Sequence, residues 1–180
     1  MTTTLIALLR GINVGRAKRI AMADLRKLVG SLGFTEVRTL LNSGNVVFET
    51  SGRATGDAGT RMERALTDRL GISSKVIVLA AEELAEIVKE YPHGRIATNP
   101  SRSMIAICAT PADAKSLTPL AARSWKPEAL SLGRRVAYVW CPDGIIESPL
   151  SKEIARTLGD RVTVRNWATI GKLHALAQEE

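Results

Sequence analysis

Cysteine, histidine and aromatic residues are scarce in this chain: 180 residues hold two cysteines, two histidines, three tryptophans, two tyrosines and two phenylalanines. Each scarcity excludes something. Cys108 and Cys141 lie in apolar, strand-like segments with no C-x-x-C and no Cys/His cluster beside them, which reads as buried thiols rather than a disulfide framework or zinc site. His93 and His174 form no H-E-x-x-H or other zinc spacing, so neither metal nor cofactor is expected, and each reads as structural or solvated rather than as a general base. Neither "SGN" at Ser43 nor "SPLS" at Ser148 has the G-x-S-x-G of a nucleophile elbow. The opening, "MTTTLIALLRGINVG", carries an apolar run of only five residues and an arginine, which fits neither a signal peptide nor a membrane span. A cytoplasmic protein without membrane association is the expectation.

What is present is an ordinary globular composition, 45% apolar and 24% charged, with a formal net charge of +7. An excess of lysine and arginine attracts polyanions and raises the expectation of phosphate-bearing partners. The carboxylates of "EELAEIVKE", residues 82 to 90, read as a solvated helix face rather than an acid–base pair.

Along the chain, residues 4 to 9 read as a buried strand. Met22, Leu25, Leu28, Val29 and Leu32 then form a helical stripe closed by Gly33. "EVRTLLN" and "NVVFET" flank "SG", a tight hairpin with Gly44 at positive φ. A glycine-rich loop at 51 to 59, a helix carrying Met62, Ala65, Leu66, Arg69 and Leu70, and the strand "KVIVLA" complete a first βαββαβ unit, which the acidic helix follows.

The second half repeats the order: strand "SMIAICA", one short helix "PADAKSLTPL", a hairpin through Gly133, the helix "SPLSKEIARTLG" with Ser148 as N-cap, strand "RVTV", and a last helix with the stripe Trp167, Ile170, Leu173, Leu176. The fold class expected is α+β, two ferredoxin-like βαββαβ units in tandem, each followed by a helix. They would cover residues 1–90 and 103–180, joined by a linker at 91–102 rich in Pro, Gly, Ser and Asn.

The motif "RGINVG", residues 10 to 15, ends a strand with a glycine-bracketed turn. Such a turn can aim consecutive backbone N–H groups at an anion, and Arg10, Arg16, Lys18 and Arg19 add charge around it. It lacks both the P-loop and the dinucleotide-fold spacing, so Gly11 and Gly15 also read as plain turn residues. Asn13, Ser43, Asn45 and Asn166 sit in turns or at element ends, where such side chains often cap backbone. Asn166 suits the N-cap of the last helix, with Arg165 beside it.

Three stretches together, "LLRGINVGRAKRIAMADLR", "NSGNVVF" and "TVRNWATIGKL", resemble the domain of unknown function 1697 family, a set of bacterial proteins. The resemblance implies the family and roughly the two-unit fold, and carries no activity. Arg16 stands where that family commonly has a further glycine, and Leu40 where tyrosine is frequent.

The expected function is binding of a phosphate-bearing ligand, a nucleotide or nucleic acid. The site would comprise Arg10, Gly11, Asn13, Gly15, Lys18, Ser43, Asn45, Arg165, Asn166 and Trp167, if the two ends of the chain converge in one cleft. Two alternatives stand beside it. One is an enzyme of unknown reaction in the same cleft, with Arg10 and Lys18 stabilising developing charge. The other is an interaction protein whose motifs only lock the units together. Base stacking on the face shared by Val136, Tyr138 and Trp140 has weak support in so aromatic-poor a chain.

Overall fold

The computed structural model describes residues 2–51 and 56–179. The loop expected at 51 to 59 therefore lies partly outside the described residues. Ser51 ends a strand and Ala58 begins a helix.

The fold is α+β, with two four-stranded antiparallel sheets interleaved with helices. In the first half, strands β1 (Thr2–Leu9), β2 (Thr35–Leu40), β3 (Asn45–Ser51) and β4 (Val76–Ala80) lie in the order β2-β3-β1-β4. Helix α1 (Met22–Ser31) joins β1 to β2, α2 (Ala58–Leu70) joins β3 to β4, and α3 (Ala81–Lys89) follows. Alternation in β1 sends Leu5, Ala7 and Leu9 into a core with Leu25, Leu28 and Val29 of α1 and Met62 and Leu66 of α2. At about 1.5–3 kcal/mol for each large apolar side chain removed from water, this face explains why the helices lie on the sheet.

In the second half, β5 (Ser103–Cys108), β6 (Ala129–Leu132), β7 (Val136–Trp140) and β8 (Val162–Asn166) take the matching order β6-β7-β5-β8. Helices α4 (Pro111–Lys115) and α5 (Thr118–Ala121), α6 (Pro149–Leu158) and α7 (Trp167–Ala177) complete it. Ser148 caps α6 by accepting from the Ser151 N–H at 2.9 Å. Met104, Ala106 and Cys108 pack with Leu117, Leu150 and Ile154.

Two elements differ from the expectation. The single helix over 111 to 120 is two, because Pro119 has no N–H for the Lys115 carbonyl, and the Thr118 hydroxyl donates to that carbonyl instead at 2.6 Å. Strand β8 runs two residues further than "RVTV", taking in Arg165 and Asn166 opposite Ile105 and Met104.

The chain divides into two compact units, Met1–Leu84 with Lys172–Glu180, and Ala85–Gly171. The division falls inside α3, ahead of the 91–102 stretch, and the last turns of α7 go with the first unit.

Candidate functional site

The segment after β1 in the first unit is built by left-handed backbone. Gly11, Asn13, Gly15 and Lys18 all have positive φ, between 51° and 68°. Asn13 closes the loop on itself. Its Nδ2 donates to the Ile20 carbonyl at 2.9 Å and its Oδ1 accepts from the Ile20 N–H at 2.9 Å, while its own N–H donates to the Lys18 carbonyl at 3.1 Å. A further bond from Nδ2 reaches the Asn42 carbonyl at 2.7 Å, tying the loop to the β2–β3 turn. In that turn Asn45, fully buried, donates to the Leu40 carbonyl and to Ser43 Oγ. Asn13, Ser43 and Asn45 are thus brought together, with both Nδ2 protons of each asparagine engaged in protein.

The cations differ from the amides. Arg16, Lys18 and Arg19 are exposed and Arg10 is half-buried, and none makes an ion pair among the described residues. Above Gly11 and Gly15 the space is open: a methyl group added at either would meet nothing within 4 Å. Val14 at the tip is 70% exposed. The loop runs into α1, whose N-cap is Ala21 with no side chain to accept a hydrogen bond, so the first amides of the helix lack a side-chain cap.

In the second unit, Asn166 ends β8 and caps α7, its Oδ1 accepting from the Thr169 N–H at 2.8 Å. Arg165 is buried, with Nη1 donating to Thr163 Oγ1 and the Val164 carbonyl, both at 2.9 Å. Burial brings its pKa down to about 10, which leaves the guanidinium charged at neutral pH. Trp167 stacks on Tyr91, ring centroids 3.8 Å apart and nearly parallel.

The model of a family described as a protein of unknown function (DUF1697) matches residues 1–138. The chain belongs to that family. The matched part of this DUF1697 chain includes "RGINVG" and "NSGNVVF" and ends before "TVRNWATIGKL". Among solved structures, the conserved bacterial protein SP0830 from Streptococcus pneumoniae superposes with a TM-score of 0.76 at 19% identity, covering 99% of this chain and 100% of that one. At that identity the likeness is one of fold. Comparison with curated proteins gives no match.

Among the described residues of the DUF1697 chain, no three His, Cys, Asp or Glu side chains are grouped to hold a metal ion, and no helix is long and apolar enough to cross a membrane. Both cysteines are buried and unpaired, and burial pushes the Cys108 thiol up to about 11. Tyr138 is covered within its own unit: its hydroxyl donates to the Ile87 carbonyl at 3.0 Å and its ring meets Tyr91 edge-on. A base cannot stack there without displacing Tyr91.

Sequence reasoning missed one cluster of this family member. Tyr91 shares a 2.5 Å hydrogen bond with Ser103 Oγ, and His93 is buried with Nε2 3.1 Å from Ser131 Oγ. His93 Nδ1 has no hydrogen-bond partner among the described residues. Composition marks this stretch as linker because it lacks periodicity, and only strands later in the chain reveal that it packs. Burial lowers the His93 pKa, so the native ring stays neutral while the unfolded ring protonates near its ordinary value of about 6.5. The native state then binds fewer protons. Stability from this group is full above about pH 6.5 and is lost as pH falls toward the depressed native pKa. Urea unfolding across that window should show an acid-side decline that His93→Phe flattens; an unchanged slope would mean that another group governs it.

Proposed function

We propose that this chain binds a phosphate-bearing ligand, a nucleotide or nucleic acid, on the loop of residues 10 to 19. The observation carrying this reading is the open space over Gly11 and Gly15 in a loop that also bears Arg16, Lys18 and Arg19, all exposed and with no carboxylate paired to any of them among the described residues. Glycines there are not required by packing, so their use is to turn the backbone and to let an acceptor approach its N–H groups. The start of α1, into which the loop runs, has no side-chain cap and contributes partial positive charge. Arg10, half-buried, stands at the start of the loop.

The amide groups take the supporting part in this reading. Asn13, Ser43 and Asn45 hold the loop and turn in shape, and Arg165, Asn166 and Trp167 serve their own unit as buried charge, helix cap and ring stack. Each unit is read as ferredoxin-like, supported by the βαββαβ element order and the strand order that both sheets repeat. A cytoplasmic location belongs to the same reading.

The test is thermal shift at low salt with ATP and with single-stranded RNA, on the wild type and on a triple Arg16→Ala, Lys18→Ala, Arg19→Ala variant. A ligand at a hundred times its Kd stabilises the native chain by about 2.7 kcal/mol. The triple variant should bind at least about tenfold more weakly, equal to about 1.4 kcal/mol. Wild-type binding should also weaken steeply with added salt. Binding that persists in the variant would move the site elsewhere, and no shift with either ligand would overturn the reading.

A further inference from the structure

A hollow in the first unit lies at the other end of α1 from the loop, about 15 Å away for ten residues at 1.5 Å each. It measures about 330 Å³, at the small end of ligand pockets, and is lined by Leu32, by Asp57 at the N-cap of α2 and by one face of that helix. Ala65 makes the floor. Its methyl is the smallest side chain on that face; Arg61, Asp68 and Arg69, three or four residues from it along the helix, and Arg64, the residue before it, also line the hollow.

The charged walls are not equivalent. Arg61 is committed to protein: it donates to the Leu32 carbonyl, lies 4.8 Å from the centre of the Phe34 ring and faces Asp57 at 3.9 Å. Arg69 is held in place by donating to Ser31 Oγ, which itself donates to the Leu28 carbonyl at 2.6 Å. That contact uses one of five guanidinium protons and leaves a fixed fork. Arg64 and Asp68 make no ion pair or hydrogen bond among the described residues, although they sit four residues apart. Arginine preceding the acid at that spacing is the weaker arrangement for a helical pair.

The uncommitted set is two guanidiniums and one carboxylate over an aliphatic floor. A phosphate dianion would meet Asp68, and a simple cation would meet Arg64 and Arg69. We propose that the hollow binds a small zwitterion, the head of an α-amino acid with an aliphatic side chain, its carboxylate on Arg64 and Arg69, its ammonium on Asp68 and its side chain on Ala65 and Leu32. This site is separate from the phosphate-binding loop and does not depend on it.

An NMR titration of the ¹⁵N-labelled full chain tests it, using L-leucine, leucinamide without the carboxylate, 4-methylpentanoate without the ammonium, and inorganic phosphate. L-leucine should shift amides at Leu32 and along residues 60 to 69, and each half-ligand should bind about tenfold more weakly or worse. Asp68→Asn and Arg69→Ala, both at exposed positions, should each remove leucine binding while leaving the remaining spectrum in place. No shift with leucine, equal binding of 4-methylpentanoate, or phosphate alone perturbing these amides would overturn the assignment.

Discussion

Gly44→Ala is expected to destabilise the first unit by about 3 kcal/mol. Two independent costs meet at this residue. Its φ is +76°, where a side chain with a Cβ costs roughly 1–2 kcal/mol. The added Cβ would also stand 2.7 Å from Leu9 Cβ and 3.4 Å from Ile12 Cβ, atoms fixed close to the backbone that cannot swing away. Overpacking of that kind costs about 1–3 kcal/mol more. Leu9 and Ile12 are buried at the point where β1 hands over to the loop, and the Leu9 N–H donates to the Gly44 carbonyl at 2.9 Å. The strain therefore falls on the base of the proposed phosphate-binding loop. Gly11→Ala is the control: the backbone is equally left-handed, at +68°, but the space is open, so the cost should stay at about 1–2 kcal/mol. Urea unfolding of the two variants separates the effects. Equal losses would show that the close approach to Leu9 contributes nothing.

Much of the architecture was legible because it rests on local rules. Leucine spacing and Gly33 placed α1, Ser148 and Pro149 placed the start of α6, and Gly44 marked the β2–β3 turn. What escaped depends on contacts between distant residues. His93 reads as linker until Ser131, thirty-eight positions later, is brought to its ring. Trp167 reads as the first residue of a helical stripe and as an expected site residue, and nothing in the sequence indicates that Tyr91 stacks on it. Arg165 reads as a ligand-site cation beside the start of the last helix because the strand is read as ending at Val164, whereas pairing with β5 extends the strand and buries Arg165 opposite Ile105. The hollow over Ala65 was invisible for a related reason: a small residue on a helix face looks like ordinary core until the α1 end is laid beside it.

Asn13 carries the second large effect, and it decides whether the loop cations act as a set. Its side chain makes three hydrogen bonds, two to Ile20 and one to the Asn42 carbonyl, and its φ of 57° is one that asparagine tolerates better than most residues. Asn13→Ala forfeits all three bonds, at about 0.5–1.5 kcal/mol each, and adds the left-handed penalty, for an expected loss of about 3–5 kcal/mol. Asn13→Asp is the sharper test because the shape is kept. The acceptor toward the Ile20 N–H survives, but an oxygen now faces the carbonyls of Ile20 and Asn42 where Nδ2 donated. A loss of about 2–4 kcal/mol follows from two broken bonds and two opposed acceptors. The two opposed carbonyls raise the native pKa of that carboxyl, and its protonation restores one donor, so the deficit of Asn13→Asp relative to wild type should shrink as pH falls through the raised native pKa, down to the unfolded value of about 4. Hydrogen exchange at the Ile20 amide reads the loop directly and should quicken in Asn13→Ala. If both variants also lose affinity for ATP or RNA while Arg16, Lys18 and Arg19 are intact, the ligand is recognising the shape of the loop and not merely its charge. If affinity survives in a loop whose Ile20 amide exchanges freely, the cations attract phosphate as separate surface charges, and the glycines between them do no more than turn the chain.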